Sequence, residues 1–140
     1  MPRFPSREWV QEALKILEED PERALASAGW EGDFGVVVDP EPGVLDTPFV
    51  LHITPEQKGP WRFDIYDDPD ELDVIEPAYF AKASYVAWKG LLKGTADPVE
   101  LLLRRKLTVR GDLAQVAERA KFKGMAERLL ARLSTTFADD

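Results

Sequence analysis

A single histidine and a crowd of carboxylates are the side chains of this 140-residue chain best suited to proton transfer near neutral pH. His52 lies in the alternating stretch F-V-L-H-I-T, sharing a face with Val50 and Thr54 opposite Phe49, Leu51 and Ile53. Catalysis by histidine needs partners that hold and orient the ring. None adjoins it in sequence, so a structural or solvated role is expected. Asp64 and Asp67 would be the carboxylate pair of an enzyme, the least favoured of three readings. The acidic run D-D-P-D-E-L-D-V-I-E, residues 67–76, is expected to be a loop. It lacks the glycine and closing glutamate of an EF-hand loop, so no metal site is assigned. None of Ser6, Ser27, Ser84 and Ser134 stands in a G-x-S-x-G elbow, and there is no glycine-rich phosphate loop. Zero cysteines exclude disulfides, thiol catalysis and zinc–thiolate centres. No catalytic residue and no cofactor are assigned, and a protein without enzymatic activity is expected.

Charge is more informative. The chain carries a net −8, but residues 1–81 hold 6 basic and 19 acidic side chains while residues 82–123 hold 10 basic and 4 acidic. Affinity for nucleic acid depends on neutralising phosphates, so an acidic chain is not expected to bind it. The basic third could meet anionic lipid headgroups at a membrane surface, or simply attract the acidic part within the fold.

The elements follow from periodicity. Ser6 can cap a helix that places Trp9, Val10, Ala13, Leu14 and Leu17 on one face, and a short second helix follows over residues 21–28. Residues 34–38, 49–53, 62–66, 78–83 and 106–110 read as strands, separated by proline and glycine clusters. In the third, Phe63 and Ile65 oppose Arg62, Asp64 and Tyr66, the pattern of a sheet wet on one side, which is typically antiparallel. At 140 residues the chain should bury roughly 68% of its unfolded surface, enough for one core. One domain, residues 1–140, is expected. No apolar run reaches the roughly 20 residues of a membrane span, and no signal-peptide region opens the sequence, so a cytoplasmic location is expected.

Residues 84–113 are the most heavily punctuated. A helix carrying Trp88, Leu91 and Leu92 stops at Gly94, and Asp97-Pro98-Val99-Glu100 starts another with an N-cap aspartate, proline at the first helical position and a capping glutamate. L-T-V-R alternates as a strand. Gly111-Asp112-Leu113 ends it and caps a final helix, with Gln115 completing a capping box. Its apolar stripe runs through Leu113, Val116, Ala117, Ala120, Phe122, Met125, Ala126, Leu129, Leu130 and Leu133.

This order, with Trp88, Gly90, Leu91, Leu92, Gly94, Asp97, Pro98, Lys106, Leu107, Val109, Gly111, Asp112 and Leu113 in matching positions, resembles the sterol carrier protein 2 family, and in the first half Ala28-Gly29-Trp30-Glu31-Gly32 followed by an apolar strand looks like its stand-alone bacterial members. The match covers the second half of the chain well. Arg105 departs from it, since many members have glycine there. The resemblance implies an α+β fold: a five-stranded, mainly antiparallel sheet covered on one face by about five helices, with an apolar cavity between sheet and helices. It further implies that the cavity holds a fatty acid, a fatty acyl-CoA or a sterol-like molecule.

On that basis the lipid-binding residues are expected on five segments. They are Phe80 on the fourth strand, Trp88, Leu91 and Leu92 on one helix, Val99, Leu102 and Leu103 on the next, Leu107 and Val109 on the fifth strand, and Leu113, Val116, Ala117, Met125, Leu129 and Leu130 on the last helix. Lys89, Lys93, Arg104 and Arg105 are expected to bind the headgroup. Met125 suits a deformable wall, because its unbranched thioether refits irregular gaps. The alternative is an interaction module with a filled core that docks a partner through Trp30 or the acidic loop.

Overall fold

Ser6 opens the first helix as its spacing predicts. Its hydroxyl accepts the Trp9 N–H at 3.1 Å and starts α1 (Arg7–Glu19), which follows the two-residue strand β1 (Arg3–Phe4). Val10, Ala13, Leu14 and Ile16 are buried. Ile16 widens the expected stripe because Leu133 packs against it and Ala13. The computed structural model describes residues 3–20, 32–56, 61–111, 129, 131–133 and 135–139. The expected second helix and most of the final one lie outside these residues.

All five expected strands form and pair into one sheet. β2 (Phe34–Asp39), β3 (Phe49–Thr54), β4 (Arg62–Tyr66), β5 (Tyr79–Ser84) and β6 (Leu107–Arg110) lie in the order β4-β3-β2-β5-β6. β2–β3, β3–β4 and β5–β6 are antiparallel, whereas the central β2–β5 pair is parallel, so the sheet is mixed. A parallel pair needs a long crossover, and here β3, β4 and a helix intervene.

That intervening helix corrects the reading of residues 67–76 as a loop. α2 (Asp70–Ile75) begins where the Asp68 carboxylate accepts the Asp70 N–H at 3.0 Å, and its acidic first turn complements the helix dipole. Leu72 is buried against Val37 and Val50, with Ile75 three residues on beside it. The face expected to be wet is therefore dry at its centre, and helices cover both faces of the sheet rather than one. Gly35 makes this approach possible: a Cβ there would stand 2.8 Å from Pro77 Cγ and 3.1 Å from Leu72 Cδ1.

The opposite face presents Val38 and Phe49 in one row of the register with Ala83 and Leu107, and Leu51 in the next row with Val36, Ala81 and Val109. α1 covers its β3–β4 half. α3 (Tyr85–Lys93) and α4 (Pro98–Leu103) cover its β5–β6 half, where Ala87, Trp88 and Leu101 pack on Ala83, Leu107 and Val109. Both helices carry the expected caps, Ser84 and Gly94 on α3 and Asp97 on α4. Arg105, which joins α4 to β6, has φ 59°, the left-handed region that favours glycine. Four helices are complete among the described residues.

One further element has no periodic signal. β7 (Thr136–Phe137) pairs in parallel with β1, and Phe4 meets Trp9, Tyr85 and Phe137 at ring-centroid distances of 4.9, 6.2 and 6.2 Å. Two-residue strands alternate too briefly to be read from sequence.

Candidate functional site

Between α1, the sheet and α3 lies a cavity of about 240 Å³ whose described lining is entirely apolar. α1 contributes Trp9, Val10, Ala13, Leu14 and Leu17, β2 and β3 contribute Val36, Val38, Phe49, Leu51 and Ile53, and Phe4, Trp88, Leu92 and Leu129 complete it. The two indoles add no polar group. Trp88 Nε1–H donates to the Val37 carbonyl at 2.9 Å and Trp9 Nε1–H to Thr135 Oγ1 at 3.0 Å, so each is satisfied by protein.

Of the residues expected to bind lipid, Trp88, Leu92 and Leu129 line this cavity. Leu107 and Val109 stand on the same sheet face but pack beneath α3 and α4. Leu91 is half-buried and outside the described lining. Phe80 is on the other face, where β-strand alternation puts it beside α2 with the Arg110 guanidinium 4.3 Å above its ring. Val99, Leu102 and Leu103 point to solvent, because α4 turns only Leu101 toward the sheet. Leu113, Val116, Ala117, Met125 and Leu130 lie outside the described residues, as does Trp30. The wall supplied by α1, β2 and β3 was missing from the expected site. Its signal was present in the stripe of α1 and the alternation of Val36, Val38, Phe49, Leu51 and Ile53.

The expected headgroup residues separate into three settings. Lys89 pairs with Asp139 at 2.7 Å, and its ammonium and that of Lys93 stand 5.1 and 5.8 Å from the Phe137 ring centroid. Arg104 pairs with Glu100 at 2.8 Å along α4. Arg105 is exposed at the turn. Tyr85 OH also donates to Asp139, at 2.8 Å. Burial and then this hydrogen bond push Tyr85 up to about 12, while the hydrogen bonds from Lys89 and Tyr85 lower the Asp139 carboxyl.

His52 has a partner that its own strand does not reveal. Its Nε2 faces Asp33 Oδ2 at 2.6 Å, and Asp33 Oδ1 accepts the Ala78 N–H at 2.8 Å. Burial alone would raise Asp33. The hydrogen bonds from His52 and Ala78 outweigh it and leave the carboxyl below its ordinary value. The dyad ties β3 to the start of β5, away from the apolar cavity. Asp64 lies opposite His52 in the β3–β4 register, and Asp67 is exposed at the following turn. Among the described residues, no three histidine, aspartate or glutamate side chains converge as a metal site would require.

No family model matches the chain, and no curated protein matches it in sequence. Solved structures do match in fold. A sterol carrier protein 2 crystal structure superposes with a TM-score of 0.65 at 21% identity, covering 92% of this chain and 98% of that one. A conserved hypothetical protein of Thermus thermophilus, linked by its description to sterol carrier protein, gives 0.63 at 20% identity, covering 90% and 84%. The apo form of sterol carrier protein 2 from Yarrowia lipolytica gives 0.53 at 14% identity, covering 84% of each chain. The fold is sterol carrier protein 2-like.

Proposed function

We propose that this chain is a non-enzymatic lipid-binding protein that takes an acyl chain or similar apolar ligand into the cavity between α1, the sheet and α3. The observation that carries the reading is the cavity itself: about 240 Å³, with apolar described walls, in a fold shared with sterol carrier proteins. An engineered apolar cavity of roughly 150 Å³ stays dry and takes benzene, so a void of this size is large enough for part of a hydrocarbon chain. Each methylene transferred from water contributes about 0.8 kcal/mol, and eight to ten would give roughly micromolar affinity after ordering costs.

With no polar side chain in the described lining, a charged headgroup belongs outside the cavity. Lys89, Lys93, Arg104 and Arg105 are the cations assigned to it. Trp88, Leu92 and Leu129 contact the chain, joined by Trp9, Leu14 and Leu51 from the opposite wall. The working cycle is uptake and delivery of lipid in the cytoplasm, with transient contact at anionic membranes. None of the described helices is long and apolar enough to cross a membrane.

Native mass spectrometry of gently purified protein should show a copurifying adduct of lipid mass. A fluorescent fatty acid should brighten on addition and be displaced by unlabelled chains. No adduct and no brightening, with the fold verified by circular dichroism, would sink the proposal.

A further inference from the structure

We infer that the outer face of α3 and α4 is a docking surface for anionic phospholipid bilayers. The inference rests on the lipid-binding reading and deepens it by naming the surface at which ligand is exchanged. Four of the five large apolar side chains that the described residues expose belong to these two helices: Val86 at 58%, Val99 at 61%, Leu102 at 40% and Leu103 at 80%. Val99, Leu102 and Leu103 are spaced i, i+3 and i+4, which places them in one stripe. Among the described residues, the core takes Leu101 from α4 and leaves that stripe exposed.

Cations adjoin the stripe in sequence: Arg104, Arg105 and Lys106 follow it directly. Lys89, Lys93 and Lys106 also line a groove of about 440 Å³ between α3 and α4, whose described lining includes no carboxylate. Lys89 is tied to Asp139 and Arg104 to Glu100, so Lys93 and Lys106 are the ammonium groups best placed to meet an incoming phosphate. Short aliphatic tips beside flexible lysines match the layering of a membrane interface, with acyl carbon beneath phosphate. A protein partner would instead favour aromatic anchors seated in shaped pockets.

The net charge of −8 opposes approach to an anionic surface, and the sheet decides how strongly. α2, with Asp70, Glu71 and Asp73, lies on the sheet face opposite α3 and α4. Part of the repulsive charge is thereby held a sheet's thickness from the docking surface, a distance comparable with the Debye length of about 8 Å at physiological salt. α1 carries further glutamates, but over the β3–β4 half.

Co-sedimentation of the full chain with phosphatidylcholine vesicles, with and without phosphatidylglycerol, tests the assignment. The natural protein should bind anionic vesicles at least about tenfold more tightly than neutral ones at low salt, and lose that margin as salt rises. Leu102→Ser/Leu103→Ser should weaken binding about tenfold, and Lys106→Glu by a similar factor. Lys15→Glu makes the same charge change on the exposed side of α1 and should leave binding unchanged. The docking surface is overturned if the double-serine variant sediments like the natural chain, if Lys15→Glu weakens binding as much as Lys106→Glu, or if the natural chain ignores anionic vesicles. A fluorescent fatty acid titrated into the same proteins without vesicles separates the two proposals. Brightening without vesicle binding leaves the cavity reading standing and removes the docking surface. Vesicle binding without brightening does the reverse.

Discussion

Trp88 on α3 donates its indole N–H to the backbone carbonyl of Val37 on β2 at 2.9 Å, so one side chain fastens a helix to the central strand and also walls the cavity. Trp88→Phe keeps most of the ring and leaves the carbonyl without this donor, for an expected loss of about 1 kcal/mol. Trp88→Ala removes the packing as well and should cost about 3–5 kcal/mol. Urea denaturation with matched slopes checks both values. A loss below about 1 kcal/mol for the alanine variant would show that the indole anchors nothing.

Ala13 is buried on α1 and lines the cavity. Ala13→Leu places three more carbons in the void, where empty space rather than packed atoms should receive them. Fatty acid affinity is expected to fall at least about tenfold while stability holds or rises, because filling a void avoids the strain of overpacking. Titration with a fluorescent fatty acid and thermal melting of the same preparation measure the two effects. Unchanged affinity would place the ligand elsewhere.

Tyr85 gives the fold an alkaline signature. Its folded value of about 12 lies above the ordinary 10.0, so the unfolded chain loses this proton first as pH rises. The linked stability is complete below pH 10 and is lost between pH 10 and about 12. Tyr85→Phe lacks the titration and the bond to Asp139. It should be less stable than the natural chain by about 1 kcal/mol at pH 7, and the gap should close across that alkaline window. Chemical denaturation at a series of pH values measures the gap, and a constant difference would refute the assignment.

Arg105 holds φ 59° with a side chain that disfavours it. Arg105→Gly relieves the left-handed strain and loses some chain stiffness in the unfolded state, for an expected net gain of up to about 1 kcal/mol. Arg105→Ala, which keeps the Cβ, should give no such gain. Differential scanning calorimetry of the two variants makes the comparison, and equal midpoints would mean that the turn stores no strain.

Local chemistry in the chain was enough to establish the five strands, the caps at Ser6, Asp97 and Gly94, the amphipathic α1 and the resemblance that named the fold. Each depends on neighbours within a few residues. What alternation cannot encode is which remote segment covers a face. Val50 and His52 read as one polar face, yet α2 buries Val50 while Asp33 receives His52. Phe80 read as cavity lining, but the parity of β5 turns it to the α2 side. Val99, Leu102 and Leu103 were expected to bind lipid, but α4 packs on the sheet through Leu101 and leaves them exposed. β1 and β7 stand more than a hundred residues apart and are held by an aromatic cluster, a contact that no local pattern announces. The five strands of the sheet and the capped helices α1, α3 and α4 followed from nearest-neighbour physics, whereas α2, the β1–β7 pair and the site depended on which distant surfaces excluded water together.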